Sequence, residues 1–332
     1  MRRSMAAALV LTVLLFGGAY LAAGKTPAQE TVPDGAAQEQ SPQGQKDSGV
    51  QLAVKNGDAV ENMALDAYLQ GVVRGEMPAS FEQEALKAQA AAERTYVYYQ
   101  LAARRKEAHP QADVCTDPAC CNAWLSEEAA REKWGGDFDG WERRIEEAVA
   151  ATDGQVALYD GQPIMAVFHS SSAGKTAGAG DVWSGEVPYL RSVDSPEGEE
   201  TVPNYYSAAA FSAAEAKSLL AKAHPELTLS GAVERDDSGR VRTVEVCGTA
   251  LRGVELRRIF ALRSACFTID ASADKVTFRV TGYGHGVGMS QYGANELARQ
   301  GKTWQEILTW YYADVTVGPA PEAVQTAESV VN

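Results

Sequence analysis

Gly71-Val-Val-Arg-Gly-Glu76-Met-Pro78, followed by Ala79-Ser80-Phe-Glu-Gln83 and an alanine-rich run to Tyr99, is the stretch on which the reading turns. Proline cannot continue a helix, so the amphipathic segment from about Asp66 is expected to stop near Glu76. A carboxylate at a helix C-terminus faces the negative end of the macrodipole. The apolar neighbours Val72, Val73 and Met77 add desolvation. Both effects disfavour the charged form and raise the pKa. A carboxyl group kept protonated near neutral pH is what a general acid requires. The plainer alternative for this motif alone is an exposed glutamate that ends a helix.

Ser80 and Gln83 have capping-box spacing, which predicts a second helix from there. Its face of Ala85, Ala88 and Ala92, with Tyr96 and Tyr99, recurs at helical spacing and should pack closely on a neighbour. Arg94 is a lone cation in this small and aromatic segment. It is either a surface arginine or a donor that orients a carboxylate or binds substrate. A permanent ion pair with Glu76 would depress the acid's pKa. A contact with substrate or in support of the acid is therefore expected.

With these residues the chain resembles the stage II sporulation protein D family, related to the LytB proteins. That family comprises peptidoglycan lytic transglycosylases of endospore-forming bacteria. The likeness continues through Phe168-His-Ser-Ser-Ser-Ala-Gly-Lys175-Thr176, Asp181-Val-Trp183 and Val187-Pro-Tyr-Leu190. It closes with Gly282-Tyr-Gly-His285-Gly-Val-Gly-Met-Ser-Gln291-Tyr-Gly293. In the family pattern Glu76 aligns with the catalytic glutamate and Arg94 with a functional arginine. The resemblance implies cleavage of the MurNAc–GlcNAc β-1,4 bond in glycan strands stripped of peptides. It implies septal wall remodelling during engulfment, beside the amidase and endopeptidase stage II sporulation protein P and a membrane scaffold. The location implied is the septal or engulfing membrane of the mother cell.

Such chemistry needs one carboxyl group. Protonated Glu76 would donate to the glycosidic oxygen. As carboxylate it would then deprotonate the C6 hydroxyl of MurNAc, which attacks C1 and closes a 1,6-anhydro ring. The internal nucleophile makes the second step effectively unimolecular, whereas ordinary glycosidases use two carboxylates. A non-catalytic glycan binder that modifies an amidase, as LytB-like relatives are described, is the alternative. A metal-dependent hydrolase built on the cysteine cluster is a third reading.

Outside these motifs the chain divides simply. Arg2 and Arg3 precede an uncharged stretch from Met5 to Ala23. As a helix it would span about 28 Å, close to the bilayer core. Residues 1–24 are expected to be a cytoplasmic stub and transmembrane anchor, with the remainder outside the cell. A cleavable signal peptide competes, given small residues from Ala19 to Gly24. Residues 25–48 read as a flexible linker and 319–332 as a flexible tail. The fold class expected for 49–318 is α+β, with antiparallel-rich strands around a glycan-binding cleft. Helices are predicted near 64–75, 81–107, 126–133, 139–151, 212–222, 254–260 and 290–300. Strands are predicted at 155–159, 163–169, 241–246 and 275–282. The net charge of −14 excludes a nucleic-acid binder, which needs a basic footprint.

Five cysteines are present. His109, Cys115, Cys120 and Cys121 follow the spacing H-x5-C-x4-C-C within 109–121. Imidazole and thiolate suit tetrahedral zinc in a closed, structural set. A disulfide such as Cys115 to Cys121 is the alternative. Some clostridial members of the family have a zinc loop here, with histidine before the last cysteine. Cys120 in its place makes the site more negative by one charge. Cys247 and Cys266 are either free thiols or a second bridge.

Three loops complete the candidate site. The glycines around His285 let backbone approach a ligand, although a tight turn around a core histidine fits equally. Gln291 suits sugar hydroxyl and acetamide groups, and Tyr292 or Trp183 suits a pyranose face. Lys175 is a candidate substrate contact on a cleft wall. His169 with Ser170, Ser171 and Ser172 is not a serine-hydrolase signature, because no nucleophile elbow is present.

Overall fold

The computed structural model describes residues 46–47, 49–103, 105–183, 185–223, 233–246 and 249–322. The expected anchor at 1–24, most of the linker, Cys247 and the tail beyond 322 lie outside the described residues. Among the described residues no helix is long and apolar enough to cross a membrane.

A hairpin of β1 (Gln51–Asn56) and β2 (Ala59–Ala64) turns at Gly57, whose φ is +59°. Helix α1 (Leu65–Glu76) follows and stops where Met77 turns to extended backbone ahead of Pro78. Helix α2 (Gln83–Ala102) leads by a loop to β3 (Val114–Cys115), which lies parallel to β1. Ser126 caps α3 (Glu127–Trp134), accepting from Ala129 N–H, and α4 (Phe138–Ala151) follows. Next come β4 (Gln155–Tyr159), β5 (Gln162–Pro163), β6 (Phe168–His169) and the one-turn α5 (Ala179–Val182).

A second core forms further along the chain. It contains β7 (Tyr206–Ser212), α6 (Ala213–Ala223), β8 (Val233–Arg235), β9 (Val241–Val246), β10 (Thr249–Arg252), α7 (Gly253–Ile259), β11 (Phe267–Ala271) and β12 (Lys275–Thr281). Phe260, Phe267 and Phe278 meet at its centre. The chain then returns to the first core through β13 (Met289–Ser290), α8 (Gln291–Arg299), α9 (Trp304–Tyr311) and β14 (Thr316–Pro319). Strand β13 pairs in parallel with β6, and β14 pairs antiparallel with β4. The architecture is α+β, with strands mostly antiparallel.

Helix α2 is the axis of the first core, touching α1, α4, α8, α9 and β4. Ala85, Ala88, Ala90, Ala91 and Ala92 are all buried, so neighbours approach from several sides. Thr95 Oγ1 accepts from Ala157 N–H at 2.9 Å and ties the helix to β4.

Three expectations are corrected. The Ser80–Gln83 capping box does not form, because Ser80 stands two residues ahead of the N-cap position, Glu82. Tertiary partners replace it: Glu82 N–H donates to Asn295 Oδ1 at 2.7 Å, and Arg144 donates to the carbonyls of Ala79 and Phe81. Helix α2 ends at Ala102, not 107, and the chain turns there into the cysteine loop. The strand expected over 163–169 is split, since β5 pairs with β4 and β6 with β13.

Arg94 is fully buried. It donates to Asp47 Oδ1 at 2.7 Å and to the Val149 carbonyl at 2.9 Å. It thus fastens the segment before β1 to the end of α4. Breaking a buried pair leaves a charge uncompensated, so Arg94→Met should lower the unfolding free energy at neutral pH by about 3–5 kcal/mol. Urea denaturation measures this, and an unchanged midpoint would contradict the structural role.

Candidate active site

Two glycines of α1 make the site possible. A Cβ at Gly75 would lie 2.8 Å from the carbonyl oxygen of Ala123, and one at Gly71 would lie 1.9 Å from the Trp124 indole nitrogen. The groove they leave holds residues 123–125, and Leu125 N–H donates to the Gly71 carbonyl at 2.9 Å. Ala123 N–H is thereby aimed at Oε1 of Glu76, 2.6 Å away. On the other side, Gln291 Nε2 donates to the Glu76 carbonyl at 3.0 Å, satisfying an end group of α1. Burial pushes the Glu76 carboxyl above its ordinary range, and the Ala123 N–H offsets only part of that.

Behind Glu76 is a second carboxyl that sequence reading passed over. Glu93 is fully buried on α2. Its Oε1 lies 2.9 Å from Gln89 Nε2 and its Oε2 lies 2.7 Å from Asn122 Nδ2. Desolvation, then the nearby Glu76, push its pKa well up. Asn122 and Ala123 are consecutive, so one short segment holds both carboxyl groups. The available signal was Glu93 four residues after Gln89 in an otherwise alanine-rich turn, masked by its charged neighbour Arg94.

Glu76 lies on a cleft of 1080 Å³ and is the only carboxyl among its described lining residues. One wall is Tyr96, Tyr99 and Gln100 of α2. Another is the loop bearing Lys106, Cys120, Cys121 and Asn122. The segment 165–170, Trp183 and Tyr283 to His285 close the far side. Trp183 and His285 pack with ring centres 5.6 Å apart. Burial and the positive charge of Arg240 and Arg257 hold the His285 pKa down to about 4. Its Nδ1 accepts from Val287 N–H at 3.1 Å, which leaves the neutral ring's proton on Nε2.

Glu76, His285, Gln291 and Trp183 therefore meet at one cleft. Three other candidates do not. Arg94 faces Asp47 and is absent from the lining, so it is a structural residue in this geometry. Lys175 is half exposed and lies 3.4 Å from Asp194, outside the cleft. Tyr292 packs edge-on against Phe81 rather than facing a sugar site. Ser172 bonds His169 at 2.7 Å but is fully buried, out of a substrate's reach.

The donor atoms of His109, Cys115, Cys120 and Cys121 lie within 4.8 Å of one another. Ligands on a tetrahedral zinc would be about 3.5–3.8 Å apart, so a small contraction completes a site. His109 Nδ1 lies 3.0 Å from the Ala112 carbonyl and Nε2 lies 3.4 Å from Cys121 Sγ. That leaves Nε2 as the ring nitrogen free to meet a metal, were one bound. All four described cysteines are unbridged. Lys106 Nζ lies 3.5 Å from Cys121 Sγ and donates to the Cys120 carbonyl, placing a positive charge beside the thiols. Sequence reading missed Lys106 because it assigned the residue to the end of a helix.

These features define a class: an α+β protein with one half-buried acid among the described residues of a large cleft, and a cysteine–histidine loop as one wall. A family model described as "Stage II sporulation protein" matches residues 54–159. The chain is 36% identical over 263 residues to stage II sporulation protein D of Bacillus subtilis (strain 168), covering 79% of this chain and 76% of that protein. It is 35% identical to the protein of the same name from Bacillus amyloliquefaciens, covering 83% and 80%. It is 26% identical to an amidase enhancer of Bacillus subtilis (strain 168), covering 75% of this chain and 40% of that one. The chain belongs to the stage II sporulation protein D family.

Glu93 binds its proton more tightly folded than unfolded. Its contribution to stability is full below the ordinary glutamate value and is lost as pH rises through the raised folded-state value. Glu93→Gln should remove that loss. Urea melts at pH values rising from the ordinary glutamate value should show the wild type declining more steeply than the variant, by at most about 1.4 kcal/mol per pH unit. Parallel pH profiles would contradict a protonated Glu93.

Proposed function

We propose that this protein is a peptidoglycan lytic transglycosylase acting on the cell wall in sporulation. Its substrate is peptide-stripped glycan, cleaved at the MurNAc–GlcNAc β-1,4 bond. The observation that carries the reading is Glu76, the one carboxyl on the described cleft wall, half-buried and with raised proton affinity. A glycosidase of the two-carboxylate kind needs a partner acid across the scissile bond. A transglycosylase needs one group to act first as acid and then as base.

In this mechanism protonated Glu76 donates to the leaving glycosidic oxygen. The resulting carboxylate then takes the proton of the MurNAc C6 hydroxyl as that oxygen bonds to C1, giving the 1,6-anhydro end. Ala123 N–H holds Glu76 in place and steadies its anionic form between the steps. His285, neutral near pH 7, and Gln291 offer hydrogen bonds, and Trp183 offers an apolar face. Arg94 supports the fold and takes no step.

Location and partners belong to the same proposal. Residues 1–24 anchor the chain, and the cleft faces the wall at the engulfing membrane. Stage II sporulation protein P supplies stripped strands, and a membrane scaffold holds the two together. The likeness to an amidase enhancer supports a second reading, a glycan binder that assists an amidase without cutting.

Full-length protein in detergent, incubated with peptide-free strands, should yield anhydro-ended fragments by mass spectrometry. Glu76→Gln should reduce the yield by about 100-fold or more. The wild-type rate should fall as pH rises past the raised Glu76 pKa. Reducing ends would refute the ring-closing step, and uncut but bound strands would favour the second reading.

We also assign a structural zinc to His109, Cys115, Cys120 and Cys121. With four protein ligands the ion would fasten the loop that carries Asn122 and Ala123 and leave no open position for substrate. Removal by chelator should lower the melting temperature by about 5 °C or more, with recovery on adding zinc. Metal analysis showing no zinc, or an unchanged melt, would contradict the assignment.

A further inference from the structure

Three arginines converge beside the cleft on a chain whose net charge is −14. Arg257 and Arg258 from α7, and Arg263 just after it, line an open pocket of 410 Å³ that ends at Tyr283. Tyr283 also lines the Glu76 cleft, so the two hollows share a wall. The Arg263 guanidinium lies 4.5 Å from the centre of the Tyr283 ring, and Tyr283 is 47% exposed. Arg257 donates through Nε to the Leu262 carbonyl at 3.2 Å, which fixes its fork. Arg263 Nε is buried without a hydrogen-bond partner. Among the described residues no salt bridge engages any of the three. Their field reaches the cleft, because Arg257 acts through space on His285.

Like charges held together, with the Arg257 and Arg263 guanidinium groups partly desolvated and Arg258 exposed beside them, are costly unless an anion answers them. Guanidinium forks match carboxylates with two parallel hydrogen bonds. A stripped muramic acid residue presents such a group, because its lactyl carboxylate is free. While the peptide is attached, the same group is a neutral amide.

We infer that Arg257, Arg258 and Arg263 form a subsite for the free lactyl carboxylate of a muramic acid residue in the strand that occupies the cleft. The inference rests on the glycan reading above. The subsite makes the enzyme selective for strands whose peptides are gone, with Tyr283 as the surface shared by the sugar in the cleft and the residue in the pocket.

The test uses full-length protein in detergent in the Glu76→Gln background, so that strands stay intact. Two strand preparations of equal length are titrated calorimetrically, one with free lactyl carboxylates and one with these converted to methylamides. The free-acid strands should bind about tenfold more tightly, as one charge-assisted hydrogen bond gives. Arg258→Gln and Arg263→Gln should each erase most of that preference. Both should still bind the methylamide strands, which shows that the variants fold. Equal wild-type affinities, or variants that keep the preference, overturn the subsite and leave the glycan reading standing. Failure of both strands to bind overturns both. Tighter binding of poly(glycerol phosphate) than of free-acid strands, lost in Arg258→Gln, reassigns the pocket to phosphodiester polymers and overturns the inference.

Discussion

The hydrogen bond from Ala123 N–H to Glu76 depends on a close approach between backbone and helix, and the rest of the site depends on it in turn. Any side chain at Gly75 would meet the Ala123 carbonyl, and any at Gly71 would meet Trp124. The two glycines stand one helical turn apart on α1, so they open one continuous groove. Glycine weakens a helix interior. Here that cost is offset by a segment that covers one side of the acid, donates to it from Ala123 N–H and carries Asn122 to Glu93. The same segment emerges directly from Cys120 and Cys121, so one stretch of backbone carries both the cysteine wall of the cleft and the donor to Glu76.

Electrostatics in this molecule are local. The chain is acidic overall, yet the cleft wall has one carboxyl among its described residues and is flanked by Lys106 on one side and arginines on the other. Two neighbouring carboxyl groups, half-buried Glu76 and fully buried Glu93, cannot both ionise cheaply. Glu93, with no exposure, is the one that holds its proton more tightly. Glu76, on the cleft wall, is left as the group able to exchange a proton with a ligand. His285 stays neutral in the same field for the opposite reason, since burial and nearby cations disfavour a further positive charge.

Much of this was legible in the sequence where local rules decide. The end of α1 at Glu76 follows from Pro78, and the α+β class follows from elements that do not alternate. Strands 155–159 and 241–246 appear at the predicted bounds. What was not legible depends on distant partners. Arg94 and Glu93 are adjacent in sequence but point in different directions around α2, one to Asp47 and the other to Asn122. The Ser80 capping signal loses to Asn295 and Arg144, whereas a true capping box at Thr303 and Glu306 begins a helix that sequence reading left out. The arginine pocket gathers residues that were read only as the end of a short helix and a loop.

The central claim is that the fold holds Glu76 as an acid. Selective carbon-13 labelling of glutamate side chains, with the Glu76 signal identified by its loss in Glu76→Gln, gives its titration midpoint directly. The account predicts a midpoint clearly above the ordinary value of 4.5. A midpoint at or below that value would mean an exposed or ion-paired carboxylate, and would contradict the acid role from which the mechanism begins.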